Sequence, residues 1–265
     1  MNEDLKKLLN DFKRISRKKW IKCDTESFGG VGSTFERLLN KDADSLYFPD
    51  YYGTELKCTT RYSKYPLYLF TAAFDGPTFP EINRIVEKYG WPDKDFPDKK
   101  VLFTNINFNS KTIVNKKYKF KLQFSEDDEK IFLCVYDKNN ILIEKESFIY
   151  VDTIYNHLML KLNRLAIIYA SKKKEENDIY YRYYKIDMYQ LIGFEKFIDL
   201  LKNDLIDVSL ISRISKSGVD KGRYRNKNLV FNIKKRNIEK LFEKIYSYNS
   251  DEEENKREKF FILNL

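Results

Sequence analysis

Apolar residues recur along this chain with two periods, and the switching between them predicts its elements. Leu5, Leu8, Leu9, Phe12 and Ile15 fall on one face at helical spacing with lysines opposite, so residues 3–19 read as an amphipathic helix. Gly29, Gly30 and Gly32 make a flexible turn, after which Ser33 and Glu36 fit the Ser-x-x-Glu capping box of a helix start. Pro49-Asp50 then leads into a period-two strand over 53–60. Glu55 and Lys57 share one side of it, and Leu56 and Cys58 the other. Tyr68, Leu69 and Phe70 form a further apolar strand. Pro66, Gly76-Pro77, Pro80, Pro92 and Pro97 break the chain into loops as far as residue 99.

Segments 101–108, 117–124, 131–136 and 141–148 alternate in polarity and predict an antiparallel meander, with a turn at Asp137-Lys138-Asn139-Asn140. Residues 153–171 place Ile154, His157, Leu158, Leu162, Leu165 and Ala166 on one stripe behind Asp152, which predicts a capped helix with His157 packed on it. Lys172, Lys173 and Lys174 then read as a hinge. Beyond it come a strand (180–190), a helix (193–203), a strand (206–214), a glycine-broken loop, a strand (229–233), a helix (237–248) and a solvated acidic loop (251–254). Interleaved helices and mostly antiparallel strands predict a mixed α/β (α+β) fold in two lobes, 1–172 and 173–265.

Charge sharpens this picture. The chain has 265 residues, 49 Lys+Arg against 40 Asp+Glu, and a net charge of +9. A polyanionic partner is the function class such a balance favours, because each phosphate neutralised releases counterions. Three scattered cysteines, Cys23, Cys58 and Cys134, form neither a disulfide framework nor a paired zinc spacing, which points to a reducing cytoplasm. The charged N-terminus lacks an apolar signal-peptide core, and no apolar run is long enough to span a membrane. A single histidine, His157, removes His-based metal clusters and most catalytic triads.

The densest chemistry lies between residues 29 and 60. Glu36, Asp50, Glu55 and Lys57 gather there, although two carboxylates about 4 Å apart repel by roughly 4 kcal/mol at a surface-like dielectric. A divalent cation reverses that sign. Hydrolysing a phosphodiester needs charge neutralised at the phosphate and a water held in line, and Mg2+ does both with one or two carboxylates. Asp50 and Glu55 supply the carboxylates, and the Leu56 backbone carbonyl can supply a third oxygen. Lys57 can orient or deprotonate the attacking water, or stabilise the phosphate charge. Glu36 has two open readings, as helix cap and as a further acidic member of the site.

These residues carry a resemblance. Trp20-Ile21, GGVGSTFERLL and FPDYYGTELKCTTRYSKYPLYLFT resemble the MvaI/BcnI family of type II restriction endonucleases, related to the mismatch-repair nicking enzyme MutH within the PD-(D/E)xK nuclease superfamily. The family pattern Gly-x-Gly-x-x-x-Glu, Pro-Asp, Glu-Leu-Lys stands here as Gly30-x-Gly32-x-x-x-Glu36, Pro49-Asp50 and Glu55-Leu56-Lys57. The resemblance implies that Asp50 and Glu55 bind Mg2+ (with Mn2+ able to substitute), that Lys57 is the active-site lysine, and that Glu36 belongs to the site. It implies a restriction-endonuclease-like core of mixed sheet and helices, with two lobes around a DNA cleft. It further implies a monomer that nicks each strand of double-stranded DNA in turn, in the cytoplasm, beside a cognate methyltransferase acting on the same site. Two rivals stand next to it: a MutH-like repair nickase, and a DNA-binding protein with an inactive nuclease site.

The stretch 178–233 resembles the family's recognition lobe more loosely. It departs from it in carrying Arg223-Tyr224-Arg225-Asn226-Lys227 with no histidine, so the relatives' cleaved sequence is not carried over. On its own terms, 213–236 holds nine Lys/Arg against Asp220 alone. Arg213, Arg223, Arg225 and Asp220 suit base edges, whereas Lys216, Lys221 and Lys227 suit phosphates. Arg61, just past the catalytic strand, joins them as a candidate DNA contact.

Overall fold

Helix α1 (Glu3–Ser16) begins where the apolar stripe does, with the Asn2 side chain accepting from the Leu5 amide as its cap. The computed structural model describes residues 2–23, 30–40, 49–61 and 63–253; Gly29 and Glu254 lie outside them. The chain continues through β1 (Ile21–Lys22), α2 (Gly30–Leu38), β2 (Glu55–Thr60), β3 (Leu67–Ala72), α3 (Glu81–Tyr89), β4 (Trp91–Pro92), β5 (Lys100–Ile106) and β6 (Thr112–Val114). There follow β7 (Tyr118–Ser125), β8 (Lys130–Tyr136), β9 (Leu142–Glu144), β10 (Phe148–Tyr150), α4 (Val151–Leu162), β11 (Arg164–Glu175) and β12 (Asp178–Leu191). Last come α5 (Phe194–Lys202), β13 (Ile206–Ile214), β14 (Tyr224–Ile233), a 3-10 turn (Lys235–Asn237), α6 (Ile238–Leu241) and β15 (Phe242–Asn249). The fold is mixed α/β, as the patterning predicts.

The chain divides into two compact units that are each discontinuous in sequence: residues 1–65, 160–192 and 242–265 form one, and 66–159 with 193–241 the other. The sequence predicts one approximate boundary, near 172/173. The lysines read as a hinge lie inside β11, paired in register with β12 (Lys172↔Tyr181, Lys173↔Tyr180, Lys174↔Ile179). A charged run on an exposed strand end needs no break in the chain.

In the first unit the sheet order is β1-β12-β11-β2, with β15 added on β12. β2 runs parallel to β11, and β11, β12 and β15 are antiparallel. Leu56, Ala166, Ile168, Ile186 and Met188 bury one sheet face against Leu5, Leu8, Phe12 and Ile15 of α1 and Phe35 of α2. Phe35 packs on Tyr183 at 5.0 Å between ring centroids. Each Leu, Ile, Met or Phe side chain among these, removed from water, stabilises the fold by about 1.5–3 kcal/mol, and this packing fixes the sheet that carries Glu55 and Lys57.

Two expected helices are shorter than predicted and give way to strands. The 153–171 stripe ends as helix at Leu162, and β11 takes over through Leu165, Ala166, Ile167, Ile168 and Ala170, all buried. A strand buried on both faces is a continuous apolar run, which helical spacing fits equally well. Of the helix expected over 237–248, only α6 (Ile238–Leu241) is α-helical, and β15 (Phe242–Asn249) pairs with β12. Within the expected acidic loop, Asp251 instead makes a two-pronged contact with Arg182, at 2.6 and 3.1 Å.

The second unit holds an antiparallel meander as β10-β8-β7-β6, with β9 on β8, and a separate sheet ordered β3-β14-β13-β5-β4; the segment 101–108, expected as the first strand of the meander, is β5 of that second sheet and pairs with β13. The expected strand over 141–148 is two short ones, β9 and β10. Helix α3 lies in the proline-rich stretch expected to be loops, starting directly after Pro80. Its Arg84 bridges buried Glu81 and Glu144 (2.5 and 2.7 Å), while Lys88 and Tyr89 also bond Glu144. Burial opposes the charge on Glu144, but Arg84 and Lys88 hold its pKa down to about 2. His157 stacks on Phe70 with ring centroids 5.7 Å apart, in the packed role expected of it.

Candidate active site and nucleic-acid interface

Asp50 and Glu55 are joined by a tight turn. Tyr51 and Thr54 exchange backbone hydrogen bonds at 3.0 and 2.9 Å around Tyr52 (φ 45°) and Gly53 (φ 66°), the left-handed pair of a type I′ turn. A side chain at Gly53 would strain that conformation. Helix α1 holds the turn from below: the Tyr51 hydroxyl donates to Asp11 Oδ2 at 2.9 Å, and the Lys7 ammonium lies 5.1 Å from the Tyr52 ring. Asp50 is fixed in turn, its Oδ2 accepting from the Leu56 amide at 2.9 Å.

Glu55 is 1% exposed. Its Oε1 accepts from Lys57 Nζ at 2.5 Å, so the two side chains meet on one strand face, and Lys161 Nζ of α4 stands 3.7 Å away. Its Oε2 is buried with no hydrogen-bond partner among the described residues, as is the neighbouring Thr54 Oγ1. Such orphans are few in native proteins and call for a reason. Burial pushes the Glu55 carboxyl upward, Lys57 opposes this, and Asp50 adds to it.

Glu36 comes from α2. Ser33 is inside that helix and donates to the Gly30 carbonyl at 3.4 Å, so it is not the N-cap the Ser-x-x-Glu spacing predicts. Burial raises the pKa of the Cys58 thiol, and the Glu36 and Asp50 charges raise it further while Lys57 lowers it. Among the described residues, no three or more His, Cys, Asp or Glu side chains are arranged to hold a metal alone. Two carboxylates with one orphaned oxygen still fit Mg2+, which keeps most of its shell for water and phosphate oxygens. Lys161 was not foreseen, because a lysine on a helix face carries no local mark of the glutamate it meets.

Arg61 follows β2 and lines a groove of about 780 Å3 with Lys64 and Lys172. All of these belong to the first unit. The recognition candidates belong to the second. Arg213 and Arg225 are cross-strand partners on β13 and β14, and Lys227 is the extra residue where the register shifts between Ile211 and Ser212. Desolvation and repulsion from Arg225 and Arg213 lower the Lys227 pKa. Among the described residues none of these three has a carboxylate within ion-pair distance, and the Arg213 guanidinium lies 4.3 Å from the exposed Phe103 ring. Lys221 is exposed, and Asp220 pairs with Arg223 at 3.2 Å. Lys216 is differently placed: it pairs with Asp93 and with Asp95 (3.0 Å).

This fold is that of a restriction endonuclease. It is similar to the solved complex of restriction endonuclease MvaI with its cognate DNA substrate, at 26% identity and a TM-score of 0.84, over 94% of this chain and 99% of that one. It is also similar in fold to MvaI without DNA, at 24% identity and a TM-score of 0.58, over 92% and 97% of the two chains. No protein of curated function matches the chain. The sequence profile of the MvaI/BcnI restriction endonuclease family matches residues 9–242, and the chain belongs to that family. It is thus a type II restriction endonuclease acting on DNA. No helix among the described residues is long and apolar enough to cross a membrane.

Proposed function

We propose that the chain hydrolyses phosphodiester bonds of double-stranded DNA at a specific sequence, using Mg2+ held by Asp50 and Glu55, with Mn2+ as a substitute. The observation that carries this reading is the buried Glu55 carboxylate. One oxygen takes the Lys57 ammonium and the other has no hydrogen-bond partner among the described residues, beside an Asp50 held by the Leu56 amide. Bound there, Mg2+ supplies positive charge to the scissile phosphate and acidifies a water.

The chain's own residues do the rest. Asp50 and Glu55, with the Leu56 carbonyl as a third oxygen, would hold the cation. Lys57 donates from its ammonium to the attacking water and the phosphate. Glu36 adds negative charge at the edge of the site. The second unit reads the duplex, Arg213, Arg223, Arg225 and Asp220 at base edges and Lys221 and Lys227 at phosphates, with Arg61 on the strand being cut. The protein works as a monomer in the cytoplasm, nicking one strand and then the other, and a methyltransferase protects the same site. Digesting a plasmid of known sequence with Mg2+ and sequencing the ends tests this. Linear product with uniform ends is expected; an uncut plasmid, or random ends, would overturn it.

A further inference from the structure

We infer that the loop over residues 93–99 is a positioning element for the recognition hairpin, and that Lys216 acts through it and not through a phosphate. This rests on the reading that 213–227 contacts DNA, and it reassigns one residue of that reading. Three separate contacts, all within the second unit, join the two loops. Lys216 pairs with Asp93 and, at 3.0 Å, with Asp95. Lys99 Nζ donates to the Gly222 carbonyl at 2.6 Å. The Phe96 ring lies under both cations, 5.2 Å from Lys216 and 5.8 Å from Lys99, and a Cβ on Gly222 would come within 3.4 Å of it.

The hairpin tip closes on itself through Gly222 to Ser215 (2.8 Å), Lys221 to Gly218 and Arg223 to Asp220 backbone bonds, with Gly218 and Gly222 at positive φ. The Ser215 amide also donates to the Arg223 carbonyl at 2.9 Å, continuing the ladder of β13 and β14, and the contacts from 93–99 brace the tip beyond it. The 93–99 loop is internally braced: Asp93 Oδ1 accepts from the Asp95 and Phe96 amides at 2.9 and 3.1 Å, and the Lys99 amide donates to the Phe96 carbonyl. A braced loop clamped at two points to a hairpin tip determines where Lys221, Arg223 and Arg225 point. Preorganising contact groups in this way lowers the ordering cost of binding and sharpens discrimination between sequences.

Asp93→Asn isolates the ion pair, because the amide oxygen still accepts from the turn amides while the charge is lost. Lys216→Gln tests the other partner, and Lys216→Arg is the conservative control. In the free protein, amide hydrogen exchange over 215–223 should quicken about tenfold or more in Asp93→Asn and Lys216→Gln and return in Lys216→Arg. With a short duplex carrying the mapped cleavage site and a scrambled one, both variants should lose preference for the site. KM should rise more than kcat falls, and the slope of log Kd against log salt should be unchanged. A direct phosphate contact at Lys216 predicts the reverse: unaltered exchange, retained preference, and a salt slope lower by about one for Lys216→Gln. That result would overturn the inference. If the unaltered protein cuts no plasmid, the proposed function fails instead, and exchange together with binding to the scrambled duplex still decides whether the clamp exists and whether Lys216 meets phosphate.

Discussion

The turn at 50–57 and the hairpin at 213–227 handle charge in opposite ways. In the first, each charge is tied down where water is scarce: Asp50 to the Leu56 amide, and Glu55 to Lys57 with Lys161 behind it. In the second, Arg213, Arg225 and Lys227 crowd together with no carboxylate at ion-pair distance among the described residues, and stay exposed. Chemistry on a phosphodiester is helped by groups fixed before the substrate arrives. Reading a duplex needs donors that can leave water for base edges and phosphates. On the proposed function the two tasks fall one to each compact unit, and mutations should separate them.

The largest expected effect is loss of metal. Chelation should abolish cleavage and Mg2+ or Mn2+ restore it. Lys57→Ala should cost about a thousandfold in cleavage rate with metal present. Plasmid digestion followed over time measures both, and cutting in chelator would break the first half of the comparison. Next in size, Arg225→Ala or Arg213→Ala should lose about 1–3 kcal/mol of binding to the cleaved sequence and relax the preference at one base pair. Equal losses on all sequences would mean these arginines touch only phosphate. Lys227→Ala should act more weakly and uniformly, lowering the salt slope of binding by about one.

The smallest effect concerns pH. Burial raises the Glu55 carboxyl above its ordinary range, so metal uptake should strengthen as pH rises through that higher value and not near 4.3. The matching stability contribution has the opposite sense. A carboxyl raised in the folded state favours folding while protonated, an advantage present below its unfolded pKa and lost as pH rises through the folded one. Added Mg2+ should therefore raise the melting temperature more at neutral than at acidic pH, and a shift independent of pH would contradict the buried-carboxylate reading.

What the sequence reveals and what it hides follow from the range of the interactions. Glu55 and Lys57 were readable as one strand face because the period-two rule and the Pro-Asp and Gly punctuation are local. The basic hairpin was readable from charge density and its glycines. The Ser33–Glu36 spacing misled, since a capping box describes a helix start and Ser33 is already inside the helix. Leu162, Leu165 and Ala166 satisfy helical spacing, yet the strand begins between them, and only pairing with β2 and β12 decides it. Helix α3 was hidden by the prolines around it, although a proline just before a helix costs it no hydrogen bond. Lys161 at Glu55, and Asp93 at Lys216 from 123 positions away in sequence, are meetings that only the folded chain produces.

The central claim is that the 50–57 turn cuts and the 213–227 hairpin reads. Asp50→Ala tests it most directly, assayed for cleavage and for binding to the duplex carrying the mapped site. The account predicts no detectable cleavage with site preference retained. Cleavage at the unaltered rate, or a loss of site preference as complete as the loss of cutting, would contradict it.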